Sequence, residues 1–129
     1  MDDQARLVLV LTTEADPERA EALAAAVLAQ RLAACVALHP VGSLYHWDGE
    51  LQQSSEVQLL FKTSSARLSQ LQQVVMALHS YDVPEWLAWP VEASPAYGSW
   101  ALSELSSELS SDGPPPDPAA TRSNGPPAG

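Results

Sequence analysis

The stretch from Ala33 to Ser65 constrains this chain more than any other, because it holds two long apolar segments joined by Trp47-Asp48-Gly49-Glu50. Asp-Gly between strand-like runs predicts a two-residue type I′ turn, whose central positions both need positive φ; Asp tolerates this and Gly adopts it freely. The flanking segments run from Cys35 to Trp47 and from Leu51 to Thr63. Each is about twice the usual strand length of roughly 5–6 residues. A hairpin of that length reaches past its own domain, and an uncovered apolar edge invites pairing with another chain. It is therefore read as an assembly device.

Along the chain, Leu7-Val8-Leu9-Val10-Leu11-Thr12-Thr13 is an unbroken apolar run, expected as a central strand buried on both faces. Asp16-Pro17-Glu18 starts a helix: Asp caps free N–H groups, Pro presets φ, and the acids suit the positive end of the dipole. Ala20, Leu23, Ala24, Val27, Leu28 and Leu32 form its inward stripe, so the helix is expected to reach about Leu32. His39-Pro40-Val41-Gly42 predicts a bulge or kink, since Pro donates nothing to a ladder and Gly weakens a strand. Tyr45 and Trp47 alternate onto one face near the hairpin tip.

Ser64-Ser65 is expected to cap a helix carrying Leu68, Leu71, Val75 and Leu78 on one face and ending near His79. Trp86-Leu87-Ala88-Trp89 reads as a strand, placed at a sheet edge by Pro90. Ser94-Pro95 starts a last helix with Tyr97, Trp100, Ala101 and Leu105 inward. The order strand, helix, strand, strand, helix, strand, helix predicts an α+β fold: a split βαβ pattern with a four-stranded, mainly antiparallel sheet and helices on one face. The bare face and the overlong hairpin again point to an oligomer.

A chain of 129 residues, 46% of them apolar, can bury its own core as a single domain, here residues 1–109. From Ser110 to Gly129 there are six Pro and three Gly and almost no large apolar residue, so this tail is expected to be disordered. Sixteen acidic against six basic residues give a net charge of −10. Such a surface repels phosphate backbones and anionic lipid, which argues against nucleic acid and membrane as partners, while concentrating cations weakly. The lone cysteine, Cys35, excludes an intrachain disulfide, and the acidic start Met1-Asp2-Asp3-Gln4 has the character of no export signal. A cytoplasmic protein is expected.

Four blocks then carry a resemblance: Leu32-Ala33-Ala34-Cys35-Val36, Ser43-Leu44-Tyr45-His46-Trp47-Asp48-Gly49, Glu56-Val57 through Lys62-Thr63, and His79-Ser80-Tyr81-Asp82-Val83-Pro84-Glu85. Together they resemble the CutA divalent-cation tolerance proteins over roughly Leu7 to Leu105. The resemblance implies a ferredoxin-like sandwich with an extended hairpin and an extra C-terminal helix. It also implies a PII-like homotrimer that binds copper or another divalent cation without an established reaction. Copper-binding members carry a cysteine near the end of the first strand and paired histidines before the Tyr-x-x-Pro-Glu turn; the matching positions here are Thr12 and Leu78-His79.

His79 and Glu85 are the candidate metal ligands, an imidazole and a carboxylate flanking one turn, and two ligands make a weak Cu²⁺ or Zn²⁺ site. Lys62, the only lysine, closes an apolar strand where its charge calls for a carboxylate such as Glu85 or for a small anion. Tyr81 and Trp47 are candidates to line an intersubunit cleft beside it, and Tyr45 and Trp47 to hold the trimer. Cys35 is expected as a small core hydrophobe without a basic neighbour, and His39 and His46 as hairpin histidines. No catalytic residue is assigned, since Ser/His/Asp order, phosphate loop and HExxH are all missing. A metal-tolerance trimer, a PII-like sensor of an anionic metabolite at Lys62, and an enzyme using His79 with Glu85 as acid and base are the three classes considered.

Overall fold

In the computed structural model, which describes residues 6–106, seven elements follow in the expected order. They are β1 (Leu7–Glu14), α1 (Pro17–Ala29), β2 (Cys35–Trp47), β3 (Glu50–Ser64), α2 (Leu68–Leu78), β4 (Leu87–Pro90) and α3 (Pro95–Ser106). The domain boundary expected at residue 109 and the tail 110–129 lie outside the described residues. The sheet has the order β2-β3-β1-β4 with every neighbour antiparallel. Asp48 (φ 54°) and Gly49 (φ 78°) both occupy the left-handed region, as a type I′ turn requires.

The register runs unbroken from Cys35↔Lys62 to Trp47↔Glu50, while β1 pairs with β3 only from Leu7↔Ser64 to Glu14↔Val57. Residues 41–47 and 50–56 therefore extend past the end of β1 as a two-stranded arm. The bulge expected at His39–Gly42 is absent: Pro40 pairs opposite Val57 in sequence with its neighbours. β2 is an edge strand, so a missing N–H on its outer side costs no ladder bond.

Pleating sends Val8, Val10, Leu59 and Phe61 to the face covered by α1 and α2, where they pack with Leu23, Val27, Leu71 and Val75. α1 begins as expected, with the Asp16 carboxylate accepting from Arg19 N–H at 2.8 Å and Pro17 in the first turn. It ends earlier than expected, at Ala29. Arg31 takes a left-handed φ of 57°, Arg31 N–H bonds Leu28 O and Leu32 N–H bonds Val27 O, a Schellman close. Leu32 thus enters the core from beyond the helix, and Leu28, expected inward, is exposed.

α2 likewise departs from expectation, because Ser64 finishes β3 and Arg67 takes the N-cap position without a side-chain cap bond. Leu78 is exposed at the far end. α3 does not join α1 and α2. It crosses the opposite face of the sheet over β3 and β1, buries Ala101 and Leu105, and accepts both Nε and Nη2 of Arg67 at Leu105 O. The face expected to be bare is thus partly covered.

Replacing fully buried Phe61 by Ala should lower the unfolding free energy by about 3–5 kcal/mol. Leu28→Ala, on the helix position found exposed, should change it by less than about 1 kcal/mol. Urea unfolding followed by far-UV circular dichroism separates the two, and a large loss at Leu28 would contradict the early helix end.

Candidate functional site

The end of β1 carries polar side chains on its buried parity: Thr12 and Glu14 face the helices at a place where the segment following α2 crosses the sheet. Thr12 Oγ1 donates to the backbone carbonyl of Glu85 at 2.5 Å. The His79 ring is sealed from solvent (side chain 0% exposed). Its Nε2 lies 2.6 Å from Thr13 O and 3.3 Å from Thr12 Oγ1, and its Nδ1 lies 3.0 Å from Tyr81 N. A carbonyl only accepts and a backbone N–H only donates, so this network assigns the neutral tautomer with the proton on Nε2.

Glu14 completes the knot. Its carboxylate accepts from the Ser80 hydroxyl at 2.5 Å, from Ser80 N–H at 3.0 Å and from Ala15 N–H at 3.0 Å, and lies 3.5 Å from His79 Nδ1. Burial by itself pushes this carboxyl up. The Ser80 and Ala15 hydrogen bonds outweigh it and hold Glu14 below the ordinary carboxylate range. Tyr81 stacks obliquely on His79, ring centroids 5.0 Å apart, and donates its hydroxyl to Glu56 at 2.5 Å. Burial, then that bond to a carboxylate, pushes the Tyr81 phenol far above its usual range, so it stays protonated.

The two candidate metal ligands are thus brought near one another only in part. His79 meets the carboxylate of Glu14, whereas Glu85 contributes its backbone carbonyl and keeps an exposed side chain. Glu14 was missed from the sequence, although an acid on the inward parity of an apolar strand was the available signal. Among the described residues no three of His, Cys, Asp and Glu come together to hold a metal ion.

Lys62 does not pair with Glu85. The pleat puts Lys62 with Leu9 on the α3 face, and Thr12, which Glu85 approaches, on the other. Lys62 Nζ lies instead over the Tyr97 ring, 5.7 Å from its centroid. Cys35 sits directly across from Lys62, so the cysteine has a basic cross-strand neighbour after all. Lys62, Tyr81 and Trp47 do not converge within one chain: Glu56, which anchors Tyr81, is six residues from Lys62 along β3, about 20 Å at strand rise, and Trp47 ends the arm. Tyr45 bonds Ser54 at 2.9 Å through its hydroxyl and exposes its ring, as His39 and His46 are exposed.

An antiparallel four-stranded sheet with two helices on one face, an overhanging hairpin and a sealed polar knot defines an α+β protein of the ferredoxin-like class. The family model of the CutA1 divalent ion tolerance protein matches residues 8–104. The divalent-cation tolerance protein CutA of Yersinia pestis (strain Pestoides F) is 43% identical over 100 residues, covering 76% of this chain and 84% of that protein. Among solved structures, CutA from Synechococcus elongatus PCC7942 superposes with a TM-score of 0.76 at 40% identity, covering 81% of this chain and 95% of that one. The periplasmic divalent cation tolerance protein CutA from Archaeoglobus fulgidus gives 0.74 at 29% identity, covering 77% and 98%. The chain belongs to the CutA1 family of divalent-ion tolerance proteins.

Because Glu14 releases its proton more readily folded than unfolded, its stabilisation is present above the ordinary value of 4.5 and is lost as pH falls below it. Unfolding free energy measured in urea should therefore drop on acidification through that range. Glu14→Gln should lose part of this slope while being less stable near neutrality; an unchanged slope would remove Glu14 from the account.

Proposed function

We propose that this protein works as a homotrimeric metal-tolerance protein of the CutA type, holding copper or another divalent cation weakly rather than in a closed chelate. Family membership carries the reading. Assembly is supported by the arm beyond β1, where Leu44 (67%), Trp47 (62%) and Leu51 (67%) are exposed with Tyr45 beside them, more apolar surface than a lone chain keeps in water. Three-fold rather than two-fold association is taken from the likeness to PII-like trimers. A cytoplasmic location belongs to the proposal, supported by the single free cysteine; the Archaeoglobus relative is described as periplasmic.

The residues at the end of β1 do not fit a tight copper site. Both ring nitrogens of His79 are already bonded to Thr13 and Tyr81, and Thr12 supplies a hydroxyl where a soft thiolate would be wanted. Weak binding at the acidic surface accords with the net charge of −10. An acid–base role for His79 with Glu85 draws no support from a ring sealed from solvent and bonded at both nitrogens.

Sedimentation at micromolar concentration tests the assembly. Wild type should run as a trimer, and Trp47→Ala should give smaller species or a sharply lower melting temperature, an aromatic truncation in a packed interface costing on the order of 3–5 kcal/mol. A folded wild-type monomer would sink the trimer.

Calorimetric titration with Cu²⁺ should give a dissociation constant of about 1 μM or weaker. Thr12→Cys, which places sulfur beside His79 Nε2, should tighten it. Nanomolar binding by the unmodified chain, lost in His79→Ala, would overturn the weak-site reading.

A further inference from the structure

The sheet face turned away from α1 and α2 holds a second constellation, which shares no residue with the knot of Thr12, Glu14 and His79 and does not rest on the metal reading. Where α3 begins, Leu7, Leu9 and Val91 wall an open cleft of about 330 Å³ that is also lined by Lys62, Tyr97 and Glu92. Tyr97 is held there by the first turn of α3, with its N–H on Ser94 Oγ at 3.4 Å. Its hydroxyl is buried and, among the described residues, has no hydrogen-bond partner. A buried hydroxyl left unpaired bears its full desolvation penalty, and native structures keep few such groups.

Lys62 is the second unmatched group. Among the described residues no carboxylate lies within ion-pair distance of it, and its contact with the Tyr97 ring at 5.7 Å satisfies the charge only in part. The ammonium can only donate, and it lies over the Tyr97 ring rather than on the phenol oxygen, so among the described residues the protons of both groups lack an acceptor. A single ammonium balances a single negative charge. Exposed Glu92 in the same cleft, with a net charge of −10 around it, repels polyanions such as nucleotide phosphates. Apart from Ser94, whose hydroxyl oxygen accepts from Tyr97 N–H, the remaining wall is aliphatic, and the volume lies at the small end of ligand pockets.

We propose that this cleft binds a small monocarboxylate with a short apolar body. The carboxylate accepts from Lys62 Nζ and Tyr97 Oη, and the body lies against Leu7, Leu9 and Val91. Lys62 Nζ lies over the Tyr97 ring; on binding, its long side chain swings onto the anion and opens the phenol to the same acceptor.

Butyrate serves as the probe, with n-butylamine and inorganic phosphate as controls at matched ionic strength, read by calorimetry and by ligand-observed NMR on the full chain. Butyrate should bind saturably and the controls should not. Tyr97→Phe should weaken butyrate about tenfold or more, the worth of one hydrogen bond to a charged acceptor, and Lys62→Gln at least as much. Without butyrate, Tyr97→Phe should melt no lower than wild type, because it removes an unpaired hydroxyl and keeps the ring. Absence of saturable butyrate binding, preference for phosphate, or wild-type affinity in Tyr97→Phe would overturn the proposal. So would a lower melting temperature of Tyr97→Phe, which would show the hydroxyl already bonded, for example to a carboxylate of a second copy.

Discussion

The unbroken antiparallel ladder between β2 and β3, turned at Asp48 and Gly49, carries the register on which every other placement depends. Strand side chains alternate, so a slip of one residue would exchange the two faces. Phe61, Leu59 and Val57 would leave the helices, and Lys62, Leu60 and Gln58 would replace them. β1 reads its own register from β3 through Leu7↔Ser64 to Glu14↔Val57, and that pairing puts Thr12 and Glu14 on the buried side. The turn can specify so much because both positive-φ positions are occupied by residues that accept them.

The sheet separates two chemistries by face. On the helix face, a carboxylate and an imidazole are buried together, which is tolerable only because nearly every lone pair and N–H is used: Glu14 by Ser80 and Ala15, His79 by Thr13 and Tyr81. The knot thereby fixes the segment after α2 against the end of β1, and the histidine is spent on positioning. On the α3 face, Lys62 lies over the Tyr97 ring, and among the described residues neither the ammonium nor the buried phenol proton meets an acceptor. Saturation on one side and want of a partner on the other follow from the same pleat.

Local signals read well where the chain needed no distant partner. The Asp-Gly turn, the Asp16-Pro17 helix start, the edge strand ending in Pro90 and the start of α3 at Ser94-Pro95 all rest on backbone preferences within a few residues. Readings failed where a neighbour in space changed the cost. Pro40 makes no bulge because β2 has a free edge, and Leu28 is exposed because Arg31 turns left-handed and hands the core position to Leu32. Ser64 was offered as a cap but is held as the last residue of β3, paired with Leu7.

What the sequence by itself determined is the set of elements, their order, the α+β class and the overlong hairpin, because turn chemistry and apolar periodicity act at short range and are written in adjacent residues. Its family-specific blocks carried the family as well. The tertiary structure alone decided that His79 meets Glu14 rather than the carboxylate of Glu85, that Lys62 faces Tyr97 and Cys35, and that α3 crosses the far side of the sheet. Those contacts join residues far apart in the chain, and only the strand register, with its two-residue alternation, settles which distant side chains share a face.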